Sequence, residues 1–344
     1  MNNDHFIDYA LNHGFGDVHV KVDKDLGFCA IIAIHSTQRG PALGGCRFIE
    51  YPDYSTALLD AMRLARGMSY KNASVNLPLG GGKSVIIKPK GSFDRAAYFK
   101  RFGEFVQELG GRYITALDSG TLLSDMDMIA EQTNYVASLS KHHGDPSPST
   151  AQGVLHGIEA AVHYKLGKNS LEGLHVAIQG LGHVGYDLAH RLHQLGARLT
   201  VADLDLARVE DVVRTLGAQR MPTEKIHTTE CDVFAPCALG AVLNDKTIKE
   251  LQTSIVAGAA NNQLEQSYHG QHLHDRGILY APDYVINAGG VIFAANKYFH
   301  KSEHELHQQL DAIPTSLLEI FKRSTLENRP TNELADILAE EKLK

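Results

Sequence analysis

Lys71, Lys83 and Asp118 have residue types and surroundings from which acid–base chemistry can be built. Lys83 directly follows three glycines at positions 80–82, so little bulk surrounds it, and Lys71 lies just beyond a helical pattern. A lysine that is partly desolvated near a second cation has a lowered pKa, which suits general acid–base catalysis, although most lysines are solvated surface groups. Asp118 follows a short β-like run, where a catalytic carboxylate and a turn-forming aspartate are equally frequent alternatives. These residues predict a proton-transfer site in the first half of the chain.

A second constellation, at positions 180–185, has the spacing of a phosphate-binding turn. Gly180, Gly182 and Gly185 form G-x-G-x-x-G directly after the β-like run HVAIQ and open a helical pattern that extends to position 195. The first glycine permits a tight turn, the second lets the backbone approach a pyrophosphate, and the third allows close helix packing. The amino terminus of the helix supplies N–H groups. Motif and context together predict a dinucleotide-binding βαβ unit.

Asp203 ends the next β-like run after that motif. A carboxylate there would accept hydrogen bonds from both hydroxyls of the adenosine ribose and would repel a 2′-phosphate, so the sequence favours NAD over NADP. The alternative role of Asp203 is to cap the helix that starts near Asp205. Arg208 is the nearest basic residue that could neutralise a 2′-phosphate.

Alternating β-like and helical patterns supply the elements that would carry Lys71, Lys83 and Asp118. Apolar, β-branched runs predict strands, helical spacing of apolar residues predicts helices, and glycine clusters predict loops. The predicted elements are strands at 27–35, 84–87 and 113–116, helices at 55–68 and 93–109, and glycine-rich loops at 40–45 and 80–83. Ser55 is the expected cap of the first of these helices.

The second half of the chain has the order of a doubly wound parallel sheet. A turn-rich segment at 145–150 indicates a domain boundary, and a helix is predicted from about 150 to 166. Short β-like runs separated by segments of crossover length follow at 175–179, 199–202, 233–235, 254–258 and 278–280. Amphipathic helices are predicted at 303–321 and 332–343. The predicted fold class is therefore α/β, with a Rossmann-type second domain.

Composition and charge make several classes of function improbable for this chain. Basic and acidic residues number 33 and 40, so 33 − 40 gives a net charge of −7, without the broad basic field that nucleic acid requires. No apolar run approaches the roughly 18 residues that span a bilayer, and positions 1–14 lack the pattern of a secretory signal, so a cytoplasmic location is expected. The irregularly spaced cysteines predict reduced thiols, and no metal site is expected, because His269, His272 and His274 lack metal-binding motifs and are interpreted as solvated loop residues.

Several longer motifs occur along the chain, namely GPALGGCR at 40–47, GMSYKN at 67–72, LGGGK at 79–83, the segment 145–150, APCALG at 235–240, GAANNQ at 258–263 and NAGGV at 287–291. Together they resemble the glutamate, leucine, phenylalanine and valine dehydrogenase family, most closely its leucine and phenylalanine branch. The resemblance covers nearly the whole chain. It implies a substrate-binding and oligomerisation domain at 1–138 with a C-terminal helix at about 328–344, an NAD-binding Rossmann domain at 139–327, an active-site cleft between them, and a homo-oligomer.

The same resemblance implies a reaction and roles for individual residues. The reaction is the reversible oxidative deamination of an L-amino acid to a 2-oxo acid and ammonia, with NAD taking the hydride from Cα. Lys71 matches the lysine that binds the substrate carboxylate, Lys83 the lysine that activates water, and Asp118 the carboxylate that handles the amine proton. The residues implied to bind the cofactor are Thr150, Gly180, Leu181, Gly182, His183, Val184, Gly185, Asp203, Leu204, Ala238, Asn262 and Asn287. Thr150 and Asn262 have alternatives as a helix cap and a turn residue.

The residues that match the family's substrate pocket are apolar. They are Leu43, Gly44, Ala116, Val291 and Ala294, together with Asn262, which the resemblance places between substrate and cofactor. In the family's glutamate enzymes, the positions of Leu43 and Ala294 hold a lysine and a serine, so a glutamate side chain would here bury an unpaired carboxylate. Ala116 and Val291 resemble the leucine type, whereas Ala294 replaces the usual valine and leaves room for a larger side chain.

Three functions follow from these residues. The first is a dehydrogenase of branched-chain aliphatic amino acids, namely leucine, valine and isoleucine. The second is a dehydrogenase of phenylalanine or another aromatic amino acid, since one or two methylenes discriminate by only about 1–3 kcal/mol. The third is a non-catalytic, NAD-binding regulatory protein on the same fold. Leu117 and Ser119, which flank Asp118, differ from the usual leucine-type residues and could tune the carboxylate.

Overall fold

The computed structural model describes residues 5–140 and 145–344, which form two compact units. Unit 1 comprises Met1–Gly144, Ala294–Ser302 and Ala339–Lys344. Unit 2 comprises Asp145–Phe293 and Glu303–Leu338. The sequence assigned the whole segment 328–344 to the first domain and did not predict the return of the chain at 294–302. Compactness follows tertiary contacts, and two of the unit boundaries fall inside the helices Gly289–Tyr298 and Thr331–Leu343.

Unit 1 is a five-stranded mixed sheet covered by helices. Its elements are α1 (His5–His13), β1 (Asp17–Asp23), β2 (Phe28–Ser36), β3 (Ala42–Ile49), α2 (Tyr54–Ser74), β4 (Gly80–Ile87), α3 (Arg95–Glu108), β5 (Tyr113–Leu117) and α4 (Leu123–Ala130). The strand order is β1-β2-β4-β3-β5, with β3 parallel to both β4 and β5. One face packs an aromatic core that includes Phe48, Phe99 and Phe102, and the other packs the small side chains of α2.

Two predicted loops of unit 1 are wrong, because their glycines belong to strands. β3 begins at Ala42, and β4 already begins at Gly80, so Lys83 is a strand residue. Glycine is unfavourable in a strand unless another part of the chain approaches its backbone closely, and both strands meet that condition. Helix α2 is capped by Asp53, which accepts a hydrogen bond from the Thr56 amide at 2.7 Å. The helix extends further than predicted, so Lys71 lies in its last turn.

Unit 2 contains a six-stranded sheet in which all strands are parallel. Its first elements are α5 (Ser147–Leu166), β6 (His175–Gln179), α6 (His183–Gln194), β7 (Arg198–Ala202), α7 (Leu206–Leu216), β8 (Gln219–Arg220) and β9 (Cys231–Pro236). The remaining elements are α8 (Asp245–Glu250), β10 (Thr253–Val256), α9 (His269–Asp275), β11 (Leu279–Tyr280), α10 (Asp283–Ile286), α11 (Gly289–Tyr298), α12 (Glu303–Leu310), α13 (Ala312–Glu327) and α14 (Thr331–Leu343). Helices α11 and α14 each have one end in unit 1.

The strand order of unit 2, β11-β10-β9-β6-β7-β8, confirms the predicted doubly wound sheet. The chain passes from β6 to β7 on one side and returns to β9 on the other, so the order reverses at β6. Ligands of such sheets bind at this reversal, beyond the carboxyl ends of the strands. The five predicted strands are present, whereas β8 was missed because its two residues are exposed and have no apolar pattern. The predicted helix at 303–321 is divided into α12 and α13 at Asp311.

None of the helices in the described ranges, 5–140 and 145–344, has the length and hydropathy needed to cross a lipid bilayer.

Candidate active site

The Lys83 ammonium and the Asp118 carboxylate form an ion pair in unit 1. Lys83 Nζ lies 2.5 Å from Asp118 Oδ2, and the two side chains are only 8% and 20% exposed. Water screens such a pair less than it screens a surface pair. The contact that the sequence left open is therefore present in the structure.

Glycines on the intervening strand β3 allow this contact. Lys83 is on β4 and Asp118 directly follows β5, and β3 lies between these two strands. A Cβ atom added to Gly45 would lie 2.7 Å from the Cβ of Asp118, and one added to Gly44 would lie 1.7 Å from a carbonyl oxygen of β4. The Gly44 carbonyl also accepts a hydrogen bond from the buried Tyr113 hydroxyl at 2.7 Å. The glycine pair therefore provides the space across which lysine and aspartate meet.

The register of β3 and β5 places part of the predicted substrate pocket on the same face as the ion pair. Gly45 is the register partner of Ala116. Because side chains alternate along a strand, Leu43 shares the face of Gly45, and Asp118 shares the face of Ala116. Leu43 is buried and Ala116 is half-buried. An apolar surface thus lies beside a charged pair.

Cations beside Asp118 outweigh the effect of its burial. Burial raises the pKa of the carboxyl, but the Lys83 ammonium lowers it through charge and a hydrogen bond, and the Ser119 amide and the Arg47 guanidinium act in the same direction. Arg47 Nε lies 3.6 Å from Asp118 Oδ2. The net result is a pKa of Asp118 below its usual value. The group is therefore a carboxylate, able to accept a proton.

Helix α2 packs directly onto the glycines of β4 and so determines the position of Lys71. Asn72 Nδ2 donates to the Gly80 carbonyl at 2.7 Å, and a Cβ atom on Gly81 would lie 2.0 Å from the Ser69 amide nitrogen. Lys71, between these contact residues in sequence, is half-buried. Since β4 has no side chains at these positions, the end of α2 that carries Lys71 lies against the strand that carries the catalytic candidate.

In unit 2 the turn after β6 is tight and leaves the N-terminus of α6 uncovered. Gly180 has a φ of +99°, and a Cβ atom on Gly185 would lie 2.0 Å from the Gly180 carbonyl oxygen. Gly182 is the N-cap of α6 without a side-chain hydrogen bond, and no described residue lies within 4 Å of its would-be Cβ. This open helix terminus fits an anion of a dinucleotide. The other residues of the turn are Leu181, which is buried, and His183 and Val184, which begin α6.

Asp203 directly follows β7 and is bound to the glycine-rich turn by backbone amides. Its Oδ2 accepts from the Leu181 amide at 2.5 Å and its Oδ1 from the Asp205 amide at 2.7 Å. Asp205 caps α7 by accepting from the Ala207 amide, so the alternative of Asp203 as the cap is wrong. Leu204 is exposed beside it. The Asp203 carboxylate is thus oriented where the β-strands end, as ribose recognition requires.

Further predicted cofactor residues lie at the carboxyl ends of the neighbouring strands. Ala238 follows β9, and its Cβ would be 2.7 Å from a Cβ atom on Gly180. Asn262 follows β10 in the left-handed region, with a φ of 51°. Asn287 Nδ2 donates to Asn261 Oδ1 at 2.7 Å, while its own buried Oδ1 accepts no hydrogen bond from described residues. That acceptor would be satisfied by an N–H group of a bound ligand.

Thr150 is not the helix cap that the sequence offered as its alternative role. It lies inside the first turn of α5, with Pro146 as the N-cap, and its hydroxyl donates to the Pro146 carbonyl at 3.1 Å. A Cβ atom on Gly290 would lie 3.1 Å from the Thr150 hydroxyl, so Thr150 faces the start of α11. His183 is largely exposed, with Nδ1 3.8 Å from Asp145 Oδ2.

The two remaining pocket candidates lie on one helix. Val291 and Ala294 are three residues apart on α11, so their side chains project from the same side of the helix. Both are half-buried. Val291 belongs to unit 2 and Ala294 to unit 1.

The histidines near 270 are not the solvated loop residues that the sequence predicted. They lie on α9, and His269 is fully buried. Asp245, His269 and His272 offer possible ligand atoms within 4.8 Å of one another. However, His269 Nδ1 accepts a hydrogen bond from the Gln266 amide at 3.0 Å, so the neutral ring carries its proton on Nε2, which faces Asp245 at 3.4 Å. Within the described residues, His269 Nε2 is buried and has no hydrogen-bond partner.

Arg47 is the site residue to which the motif analysis assigned no role. It occurs within the glycine-rich motif, and its side chain reaches Asp118. The signal was present as the alternation Leu43, Gly45, Arg47, which puts all three on one face of a strand. The signal was missed because the segment was interpreted as a loop.

Comparison with known proteins assigns both halves of the chain to one family. Residues 15–135 match the family described as Glu/Leu/Phe/Val dehydrogenase, dimerisation domain, and residues 201–342 match the family described as Glutamate/Leucine/Phenylalanine/Valine dehydrogenase. A leucine dehydrogenase of Geobacillus stearothermophilus is 46% identical over 338 residues, which are 97% of this chain and 92% of the relative. The chain belongs to the Glu/Leu/Phe/Val dehydrogenase family.

Other members of the Glu/Leu/Phe/Val dehydrogenase family are similarly close. An L-tryptophan dehydrogenase of Nostoc punctiforme is 45% identical over 316 residues, covering 91% of this chain and 89% of the relative. The crystal structure of L-tryptophan dehydrogenase from the same organism has a TM-score of 0.90 at 41% identity and covers 98% of both chains. The predicted family and two-domain α/β fold are confirmed. As a Glu/Leu/Phe/Val dehydrogenase, the protein is an enzyme that acts on small molecules with a nicotinamide cofactor.

Proposed function

We propose that this Glu/Leu/Phe/Val dehydrogenase catalyses the reversible, NAD-dependent oxidative deamination of leucine, valine and isoleucine. The observation that carries the proposal is the buried Lys83–Asp118 pair, which shares one face of the sheet with the apolar residues Leu43 and Ala116. This face places acid–base groups beside an apolar surface, and that surface offers no charge to neutralise a charged side chain of the substrate. In the proposal, unit 1 binds the amino acid and unit 2 binds the dinucleotide.

The residues of unit 1 would act in sequence on the amino and carboxyl groups. The Lys71 ammonium holds the substrate carboxylate. The Asp118 carboxylate takes a proton from the substrate ammonium, because a hydride leaves Cα more readily beside a neutral amine. Bound NAD supplies the hydride acceptor. Lys83, in its neutral amine form, then removes a proton from the water that adds to the iminium carbon. The protonated Asp118 returns its proton to the nitrogen of the adduct, and collapse of the adduct releases ammonia and the 2-oxo acid.

The residues of unit 2 fit NAD better than NADP. Asp203 keeps its carboxylate beside the glycine-rich turn, where it would accept from ribose hydroxyls and repel a 2′-phosphate. Arg208 is held away from that role by two contacts, from Nη1 to the Leu181 carbonyl at 3.1 Å and from Nε to Asp205 Oδ2 at 3.2 Å. Its charge is therefore already paired with an acid.

Oxidation of an aromatic amino acid is the second candidate. Two observations favour it: Ala294 is smaller than the valine usual in the leucine type, and the L-tryptophan dehydrogenase of Nostoc punctiforme is nearly as similar as the leucine dehydrogenases. The matching residues Leu43, Ala116 and Val291 favour the aliphatic substrates.

A panel of L-amino acids assayed for NADH formation at alkaline pH tests the proposal. We expect kcat/KM for leucine, valine or isoleucine to exceed that for phenylalanine and tryptophan by about 10-fold or more, and glutamate to be inactive. If an aromatic amino acid has the highest kcat/KM of the panel, the second candidate function is established instead. Binding of NAD without turnover of any amino acid in the panel would overturn the proposal.

We also propose that the enzyme is a homo-oligomer. Strand β1 is an edge strand with alternating exposed residues, and Val18, Val20 and Val22 are 36%, 57% and 66% exposed. An apolar edge of this kind commonly pairs with a second chain. Light scattering of the purified protein would give a mass above that of one chain, and a monomer would refute the proposal.

A further inference from the structure

A chain of charged groups extends from Asp118 away from Lys83 and ends on helix α2. Arg47 lies at its centre: Nε is 3.6 Å from Asp118 Oδ2, and Nη1 is 2.9 Å from Asp60 Oδ2. The Tyr51 hydroxyl donates to the same Asp60 oxygen at 2.5 Å. The catalytic carboxylate is thus connected to a helix through one arginine.

Arg47 and Asp60 are held by the elements that carry them. Arg47 is on β3, two residues beyond Gly45 and on the same face, and Asp60 is on α2, which covers that face. The side chains of Arg47 and Asp60 are only 23% and 29% exposed. Arg47 Nε is buried and makes no hydrogen bond within the described residues, and the buried Asp118 Oδ2 lies between it and Lys83 Nζ. Each atom therefore depends on ion pairing for compensation of its burial.

We propose that Arg47, braced by Asp60, is a positioning residue that fixes the Asp118 carboxylate beside Lys83 and keeps it ionised. Its contribution to turnover rests on the proposed function, whereas its effect on the ionisation of Asp118 does not. The two cations approach the same oxygen from β3 and β4, so the carboxylate is clamped between neighbouring strands. A lysine alone would hold that oxygen at a single point.

Two cations lie beside Asp118 on the neighbouring strands, and Arg47 is the second of them after Lys83. Lys83 approaches the carboxylate from β4 and Arg47 from β3, whereas the Cys46 thiol lies on the opposite face of β3, where the charge of Asp118 still influences it. Burial raises the pKa of Cys46 to about 12, so this thiol is neutral and contributes no charge. Burial and the hydrogen bond to Asp60 raise the pKa of Tyr51, which is therefore a neutral donor to Asp60.

The sign of the effect follows from the charges. A neighbouring cation stabilises the ionised form of a carboxyl group, so loss of the Arg47 charge raises the pKa of Asp118. Proton acceptance requires the ionised form. The acid limb of kcat/KM should then move to higher pH in a variant that lacks this charge.

Arg47→Gln tests the proposal, with Arg101→Gln as the matched control. Arg101 pairs with Asp23 at 3.2 Å in the same unit, with exposures of 20% and 27%, close to those of Arg47 and Asp60. The first readout is the titration of the Asp118 carboxyl by 13C NMR, assigned by the signal that disappears in Asp118→Asn. We expect its pKa to rise by about one unit in Arg47→Gln and to be unchanged in the control.

The second readout is the pH profile of the full-length enzyme with its best amino acid. We expect the acid limb of kcat/KM to move upward by about one pH unit in Arg47→Gln. Asp60→Asn retains the arginine but removes its brace, and it should shift the limb in the same direction by a smaller amount. Asp23→Asn is its control.

The outcomes separate this proposal from the proposed function. A titration of Asp118 in Arg47→Gln that equals the control overturns the role of Arg47, whatever the enzyme's substrate. If the acid limb of kcat/KM moves in Arg47→Gln but stays unchanged in Asp60→Asn, the proposed role of Asp60 in holding Arg47 is overturned. If the wild-type protein oxidises no amino acid, the proposed function fails, and the NMR titration still decides the role of Arg47. If Arg47→Gln does not fold, the titration in Asp60→Asn decides it.

Discussion

At the scale of single residues, Lys83 and Asp118 form one ion pair, and the proposed function gives them separable roles. We expect Lys83→Ala to lower kcat by a factor of about 100 to 10,000, because proton transfer by a positioned side chain contributes that much. NAD affinity, measured by fluorescence titration, should change little, since the cofactor residues are in the other unit. Retained turnover in Lys83→Ala would refute its role with water.

Asp203 is the residue that we propose determines the choice between NAD and NADP. Its carboxylate is oriented by the Leu181 amide at 2.5 Å, so it presents a fixed charge to any group bound nearby. We expect Asp203→Ala to weaken NAD binding about 10-fold and to narrow the preference for NAD over NADP. Steady-state kinetics with both cofactors would measure this, and an unchanged ratio would contradict a ribose contact.

At the scale of elements, the glycines of β3 determine whether the side chains of Lys83 and Asp118 can meet. A Cβ atom on Gly45 would lie 2.7 Å from the Asp118 Cβ, a distance that forces one of them to move. We expect Gly45→Ala to reduce kcat at least 100-fold while NAD affinity stays unchanged. Gly67→Ala is a suitable control, since Gly67 is in α2 and its would-be Cβ has no described atom within 4 Å.

The glycine-rich turn of unit 2 offers a second comparison at this scale. Alanine at Gly182 meets no described atom within 4 Å, whereas alanine at Gly185 would lie 2.0 Å from the Gly180 carbonyl oxygen. Gly182→Ala should therefore keep the melting temperature of the apoprotein and weaken NAD binding. Gly185→Ala should lower the melting temperature by several degrees. Equal melting temperatures for the two variants would contradict this assignment of the glycines.

The elements also show what the sequence could and could not predict. The strand before Gly180, the glycine-rich turn and the helix after it were predicted correctly, because local periodicity and glycine spacing carry that information. The glycines at 44–45 and 80–82 were assigned to loops, since the reason for their presence in strands is the approach of Asp118, Ser69 and other distant residues. Arg47 was passed over for the same reason. Contacts between residues far apart in sequence leave no periodic signal.

At the scale of the whole molecule, the last residues of the chain return to unit 1. Arg39 Nη1 donates to the Lys342 carbonyl at 3.0 Å, and Glu340 pairs with Arg66 at 3.6 Å and accepts from the Tyr70 hydroxyl. Tyr70 directly precedes Lys71 on α2. The C-terminus therefore stabilises the helix that carries the proposed substrate-binding lysine.

Removal of residues 340–344 tests this connection. We expect a loss of about 1–3 kcal/mol in the free energy of unfolding, because the deleted groups make hydrogen bonds to partly buried partners. The KM for the amino acid should rise while the affinity for NAD is unchanged. Glu333→Gln, which removes an exposed partner of Arg329 in unit 2, is the control and should leave the KM unchanged.

The division of unit 1 among three segments, Met1–Gly144, Ala294–Ser302 and Ala339–Lys344, has a consequence for biosynthesis. The ribosome completes the first segment about 200 residues before it completes the last one. At about 5–20 residues per second, this is a delay of about 10–40 s. Throughout this interval the nascent first segment lacks the residues that complete it. Unit 2 is also incomplete until its second segment ends at Leu338. The half of the enzyme that carries Lys83 and Asp118 is therefore the part most exposed to chaperones and to aggregation before translation ends.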